Sequence, residues 1–116
     1  MVVKTQYVPD EGEIVWLDVT PQSGHEQAGR RPGLVISPRE YNFRSGLALI
    51  CPVTNQKKGY PFEVVIPSFG GKTTGVVLAD QVRSLDWIAR NAAPRETVDT
   101  MVLSKVKEKL AILLGF

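Results

Sequence analysis

One short stretch, Gly24-His25-Glu26-Gln27-Ala28-Gly29-Arg30-Arg31-Pro32, gathers a carboxylate, an imidazole, an amide and two guanidiniums. Guanidiniums are planar, permanently charged donors that suit phosphate oxygens. A neighbouring carboxylate such as Glu26 can accept a proton or hold Arg31 in place. A second stretch, Pro52-Val53-Thr54-Asn55-Gln56-Lys57-Lys58-Gly59-Tyr60, adds hydroxyl, amide and ammonium donors for phosphates or base edges. Tyr60 or Phe62 offers a ring on which a base can stack. Each stretch also has a plainer reading. The first is equally an ordinary polar loop between strands, and the second a hairpin whose lysines keep a sheet edge soluble. Asp80-Gln81, at the end of an apolar run, reads as a structural hydrogen-bonding pair.

Charge concentrates the interest in the same region. The 116-residue chain has a formal net charge of only +2. From Arg30 to Lys58, however, Arg30, Arg31, Arg39, Arg44, Lys57 and Lys58 face Glu40 alone, whereas residues 1–25 are acidic. A basic middle in a nearly neutral chain points to a local anion-binding face, or to a solvated rim of loops.

Other chemistries find no support in the pattern. There is no Gly-x-x-x-x-Gly-Lys-Ser/Thr phosphate loop, no Gly-x-Ser-x-Gly elbow and no paired carboxylates at a recognisable metal-site spacing. One cysteine, Cys51, excludes an internal disulfide framework, and together with the single His25 it argues against a structural zinc site. Cys51 sits in an apolar run and reads as a buried, inert thiol. No metal and no cofactor are expected. No apolar run approaches the roughly 20 residues of a membrane helix, and the first residues lack the apolar region of a secretory signal. A cytoplasmic location, with no membrane association, is the expectation.

The elements that must position these side chains are mostly strands. Ile14–Leu17, Leu34–Ile36, Leu47–Cys51, Phe62–Ile66 and Val76–Ala79 are short apolar runs bounded by Gly or Pro. Five or more such runs over residues 1–116, with no linker or repeat, predict one domain built as a small antiparallel barrel or sandwich. Ser37-Pro38-Arg39-Glu40 has capping-box spacing with Pro at the first helical position, so a short helix is predicted to run to about Gly46. A second, amphipathic helix is predicted from Asp99 as cap, through Val102, Leu103, Val106, Leu110, Leu113 and Leu114, to Gly115. Asp86–Arg90 reads as a further helical turn, Gly70-Gly71 with Lys72-Thr73-Thr74 as a mobile surface loop, and Trp16 and Trp87 as core residues.

Taken in order, the 24–32 stretch, Pro52-Val53-Thr54, Lys58-Gly59-Tyr60-Pro61-Phe62-Glu63-Val64 and Ala79-Asp80-Gln81-Val82 carry a specific likeness. With Tyr7-Val8-Pro9-Asp10, Gly12 and Trp87-Ile88-Ala89-Arg90, they make the chain resemble the MazF/PemK family of toxin endoribonucleases from bacterial toxin–antitoxin systems, over nearly its whole length.

That resemblance implies a mainly β fold with α, an SH3-like barrel of the MazF/CcdB type with short helices and an amphipathic C-terminal helix, assembled as a homodimer. It implies metal-independent cleavage of single-stranded RNA at a short motif, with ACA the expected triplet. Attack by the 2′-hydroxyl would leave a 2′,3′-cyclic phosphate and a 5′-hydroxyl. By position in the family's motifs, Arg31, Thr54 and Glu26 are the expected catalytic residues. His25, which stands where related loops carry Ser, is assigned with Gln27, Arg30, Gln56 and Lys58 to substrate contact. The implied partner is a MazE-like antitoxin whose acidic tail occupies the same groove. Two alternatives share the fold: a gyrase-directed toxin acting through its C-terminal end, here Leu113-Leu114-Gly115-Phe116, and an RNA-binding barrel without catalysis.

Overall fold

The computed structural model describes residues 6–19, 29–67 and 71–116. Seven antiparallel strands carry the fold: β1 (Glu13–Asp18), β2 (Arg30–Val35), β3 (Leu47–Thr54), β4 (Glu63–Val65), β5 (Val76–Leu78), β6 (Arg83–Asp86) and β7 (Ala93–Thr97). Among the described residues two α-helices, α1 (Arg39–Ser45) and α2 (Thr100–Leu114), and a 3-10 turn at Ala79–Gln81 join these strands. The strands lie in the order β4-β5-β3-β2-β1-β7, with β6 also paired to β3. At eight residues β3 is the longest strand. It pairs with β6 through Leu47–Ile50 and with β5 through Val53 and Thr54, so its two ends serve different parts of a curled sheet.

Side chains alternate across a strand, and here both faces are covered. On one face Ile14, Leu34, Cys51, Val53 and Val77 pack against Val102, Val106 and Leu110 of α2. On the other, Val15, Leu17, Val35, Ala48 and Ile50 pack with Trp87 and with Tyr7 and Val8 of the incoming chain. This is the mainly β, helix-capped architecture expected from the sequence. Strands β6 and β7 give little sequence signal, because they are mostly exposed and polar and β7 contains Pro94, which is tolerated at a sheet edge.

The helices show which local signals held. The Asp99 carboxylate accepts from the Met101 amide at 2.8 Å, and Gly115, at φ +81°, ends α2. The apolar stripe is shorter than predicted, since Leu113 and Leu114 stay exposed beyond the last residue that reaches the core, Leu110. The capping box at α1 does not form. Pro38 is the N-cap and makes no side-chain bond. Glu40 pairs with Arg44 at 3.3 Å instead of reaching back. The Ser37 hydroxyl is used inward, donating to Asn42 Oδ1 at 2.6 Å and accepting from the Leu49 amide at 2.9 Å. Residues Trp87–Asn91 form one turn, tied by the Arg90 amide to the Asp86 carbonyl.

Asn42 is fully buried and ties three segments together. Its side-chain amide donates to the carbonyls of Pro9 and Ser37 at 2.8 and 3.0 Å, and its backbone carbonyl accepts from Trp87 Nε1 at 2.9 Å. Removing that side chain strands buried groups at about 1–3 kcal/mol each. Asn42→Ala is therefore expected to lower unfolding stability by at least about 2 kcal/mol, read from the urea midpoint. Asn42→Asp, which lacks the donors, should be nearly as harmful.

Candidate functional site

The site begins with a register. Strand β2 meets β3 with Gly33 opposite Pro52, Leu34 opposite Cys51 and Val35 opposite Ile50. Arg31 lies two residues before Gly33 and Thr54 two residues after Pro52, at the ends of two strands whose middles are buried. Thr54 is also paired to Val76 of β5. That pairing requires a glycine just before it. Gly75 has φ +106°, and a Cβ there would fall 2.2 Å from the Thr54 carbonyl oxygen.

Arg31 and Thr54 line one open cavity of about 570 Å³. Trp16, Pro32 and Val53 supply its apolar surfaces, while Arg30, Asn55 and Gln56 extend the polar rim from β2 and the end of β3. Lys72, Thr73, Thr74 and Arg95 form the remaining wall. Among the described residues this lining contains four cations and no carboxylate, the composition expected for an anion. The Thr54 hydroxyl accepts from the Gln56 amide at 3.1 Å, so its own proton is what it can donate to a ligand. Arg31 is exposed and donates from Nη1 to the Arg30 carbonyl at 3.3 Å.

Arg30 lines the cavity and is also tied into the fold. Its Nη1 pairs with Asp18 at 2.8 Å, and its Nη2 donates to the carbonyls of Asn91 and Trp16. The Asn91 amide bonds the same carboxylate at 2.8 Å. Asn91 above all, then Arg30, outweighs the cost of desolvation and holds the Asp18 carboxyl below its ordinary range. Burial pushes the Glu96 carboxyl upward, but hydrogen bonds from Thr73 and the Lys72 amide, with the Arg95 charge, leave it lowered overall. The Cys51 thiol, buried in β3 and facing Asp80, is pushed up to about 12, so it stays protonated and takes no part in nucleophilic chemistry near neutral pH.

A family model described as "PemK-like, MazF-like toxin of type II toxin-antitoxin system" matches residues 10–114. The chain belongs to that family. It is 48% identical to the endoribonuclease toxin MazF of Escherichia coli K12, over 96% of this chain and 98% of the relative. It is 32% identical to endoribonuclease EndoA of Bacillus subtilis, over 90% and 92%. In structure it is similar to the MazF crystal structure from Deinococcus radiodurans, with TM-score 0.85 and 54% identity over 96% of this chain and all of that one. It resembles equally the toxin in a MazE–MazF complex from the same organism, with TM-score 0.85 and 50% identity over 96% and 99%.

Within this PemK/MazF-like chain the expected site residues divide into groups. Arg31, Thr54, Arg30 and Gln56 share the main cavity. Lys58 lies in an adjoining one of about 140 Å³, which Thr54 and Gln56 also line. There the Lys58 and Gly59 amides both donate to the Glu63 carboxylate, which shapes the turn. His25, Glu26 and Gln27 lie outside the described residues. Sequence reasoning placed Lys72, Thr73 and Thr74 on a surface loop, and the structure sets them in the cavity wall; it gave Arg95 no part and put Trp16 in the core. Trp16 is only half-buried and lines the cavity. Its β1 position at the edge of the apolar core carries no sequence mark of that difference. Among the described residues no group of three His, Cys, Asp or Glu side chains could hold a metal ion, and no helix is long and apolar enough to cross a membrane.

Asp18 and Glu96 both titrate lower in the folded chain than unfolded. Their stabilisation is therefore complete above the unfolded pKa of about 4 and is lost as pH falls through the lower folded values. Tm is expected to fall as the pH drops below about 4, and Asp18→Asn should flatten that dependence when Tm is followed by circular dichroism.

Proposed function

We propose that this chain is an endoribonuclease toxin that cleaves single-stranded RNA at a short motif and is neutralised by a MazE-like antitoxin. The observation that carries this reading is the convergence of Arg31 and Thr54 on one cavity whose described lining is cationic and hydroxyl-bearing. It is supported by the activity named for the Escherichia coli relative and by the complex formed by the Deinococcus radiodurans one. The ACA triplet and a homodimeric assembly are carried by the family resemblance.

The chemistry follows from what such a cavity can stabilise. The ribose 2′-oxygen attacks the adjacent phosphorus and loses its proton. The bond from phosphorus to the 5′-oxygen breaks, and that oxygen takes up a proton. The products are a 2′,3′-cyclic phosphate and a 5′-hydroxyl. Negative charge grows on the non-bridging oxygens, where Arg31 supplies a fixed positive charge and Thr54 a hydroxyl donor. Arginine keeps its proton at a pKa above about 12, so its part is electrostatic. Glu26 orients Arg31 or acts on a proton, while Gln27, His25, Gln56 and Lys58 hold the strand. Requirement for a 2′-hydroxyl makes RNA, and not DNA, the cleavable polymer.

Purified protein with excess EDTA is expected to cut mixed-sequence RNA at one short motif and to leave the DNA counterpart intact, with cut ends mapped by sequencing. Arg31→Ala and Thr54→Ala should each lower kcat by about 100-fold or more while keeping the wild-type circular dichroism spectrum. Near-native cutting by both variants, or a strict metal requirement, would overturn the reading.

A further inference from the structure

The pairing of β7 with β1 contains an irregularity that reaches into the cavity. Glu96 lies opposite Ile14 and Pro94 opposite Val15, so Arg95 is an extra residue bulged between two consecutive pairs. In a regular strand Arg95 and Glu96 would point to opposite faces. The bulge instead lets both reach one loop. Arg95 Nε donates to Thr73 Oγ1 at 2.7 Å and its Nη2 to the Lys72 carbonyl, while Glu96 accepts from the Lys72 amide at 3.1 Å. The Arg95 guanidinium is centred 4.8 Å from the Trp16 ring, which fixes its position.

This differs from Arg30, whose charge is matched by Asp18 at 2.8 Å. Arg95 feels the charge of neighbouring Glu96, but its direct bonds go to neutral oxygens and it lies over an aromatic ring, and its two Nη1 donors are not needed for that hold. It lines the same cavity as Arg31 and Thr54. We propose that Arg95 forms a second phosphate subsite of this groove, gripping an RNA backbone phosphate next to the one that reacts. The inference rests on the ribonuclease reading and extends it. Arg95 binds substrate through its charge, without reading a base, and Glu96 is the positioning residue that steadies the Lys72–Thr74 wall.

The test uses the whole protein and an RNA oligonucleotide carrying its cleavage motif, with one 2′-deoxy nucleotide at the cut position to block reaction. Binding is measured against salt concentration for wild type, Arg95→Gln and Glu96→Gln, and then with single phosphates replaced by neutral methylphosphonates. Arg95→Gln should bind about 10-fold to 100-fold more weakly. Its slope of log affinity against log salt should be smaller in magnitude by about 0.7, the value for one phosphate contact on a single strand. One neutral linkage away from the cut position should weaken wild type and leave Arg95→Gln indifferent. Glu96→Gln should keep the wild-type slope. If Arg95→Gln binds as wild type does, or binds more weakly with an unchanged slope and unchanged sensitivity to every neutral linkage, Arg95 only props the loop and the subsite is refuted. Should wild-type protein leave uncut an unmodified RNA of the same sequence, the ribonuclease reading itself fails, an outcome distinct from a cutting enzyme whose Arg95 is inert.

Discussion

The site depends on the register between β2 and β3. Because side chains alternate with period two, a slip of one residue would turn Arg31 to the opposite face from Thr54 and would also drive Leu34 and Val35 each into the wrong core. The two cores make such a slip costly, since Ile14, Leu34 and Cys51 belong to one face and Val15, Val35 and Ile50 to the other. Apolar packing on both sides of the same strands therefore fixes a polar geometry at their ends. The residues proposed to do the chemistry contribute little to that packing, which frees them to be chosen for charge and hydrogen bonding.

Electrostatics then sorts the cations by task. Arg30 is drawn into a network with Asp18 and Asn91 and joins β1, β2 and the turn before β7. Arg39 performs a comparable service at the other end, where it reaches Asp10 and Glu13 and its amide bonds Asp10. The cavity keeps Arg31, Lys72 and Arg95 among its described lining. A cluster of like charges at one cavity is the feature that the proposed phosphate-backbone substrate would relieve.

Much of the fold was legible because its signals are local. The Asp99 cap and Gly115 stop, the apolar runs of β1 to β5 and the inert Cys51 each follow from a few neighbouring residues. The capping box at Ser37 failed because a buried asparagine, five positions on, competes for the same hydroxyl. Strands β6 and β7 escaped notice because their pairing, and not their composition, makes them strands. Arg31 and Thr54 were found through family motifs. Arg95 and Trp16 were invisible for a different reason: a bulge between β1 and β7 brings them together, and no spacing within the sequence encodes it.

The central place of β3 has a consequence for how the protein breathes. The buried amides of Gly33 and Leu34 in β2 and of Ile50 in β3 have a paired strand on each side, so they should exchange with solvent only when the whole domain opens. Short β4 and the end of α2 beyond Leu110 lie at the periphery, where opening needs little energy. Fluctuations of that rim leave the Arg31–Thr54 alignment untouched. A protease or a mild rise in temperature can thus fray the outside of the molecule long before it disarms the cavity.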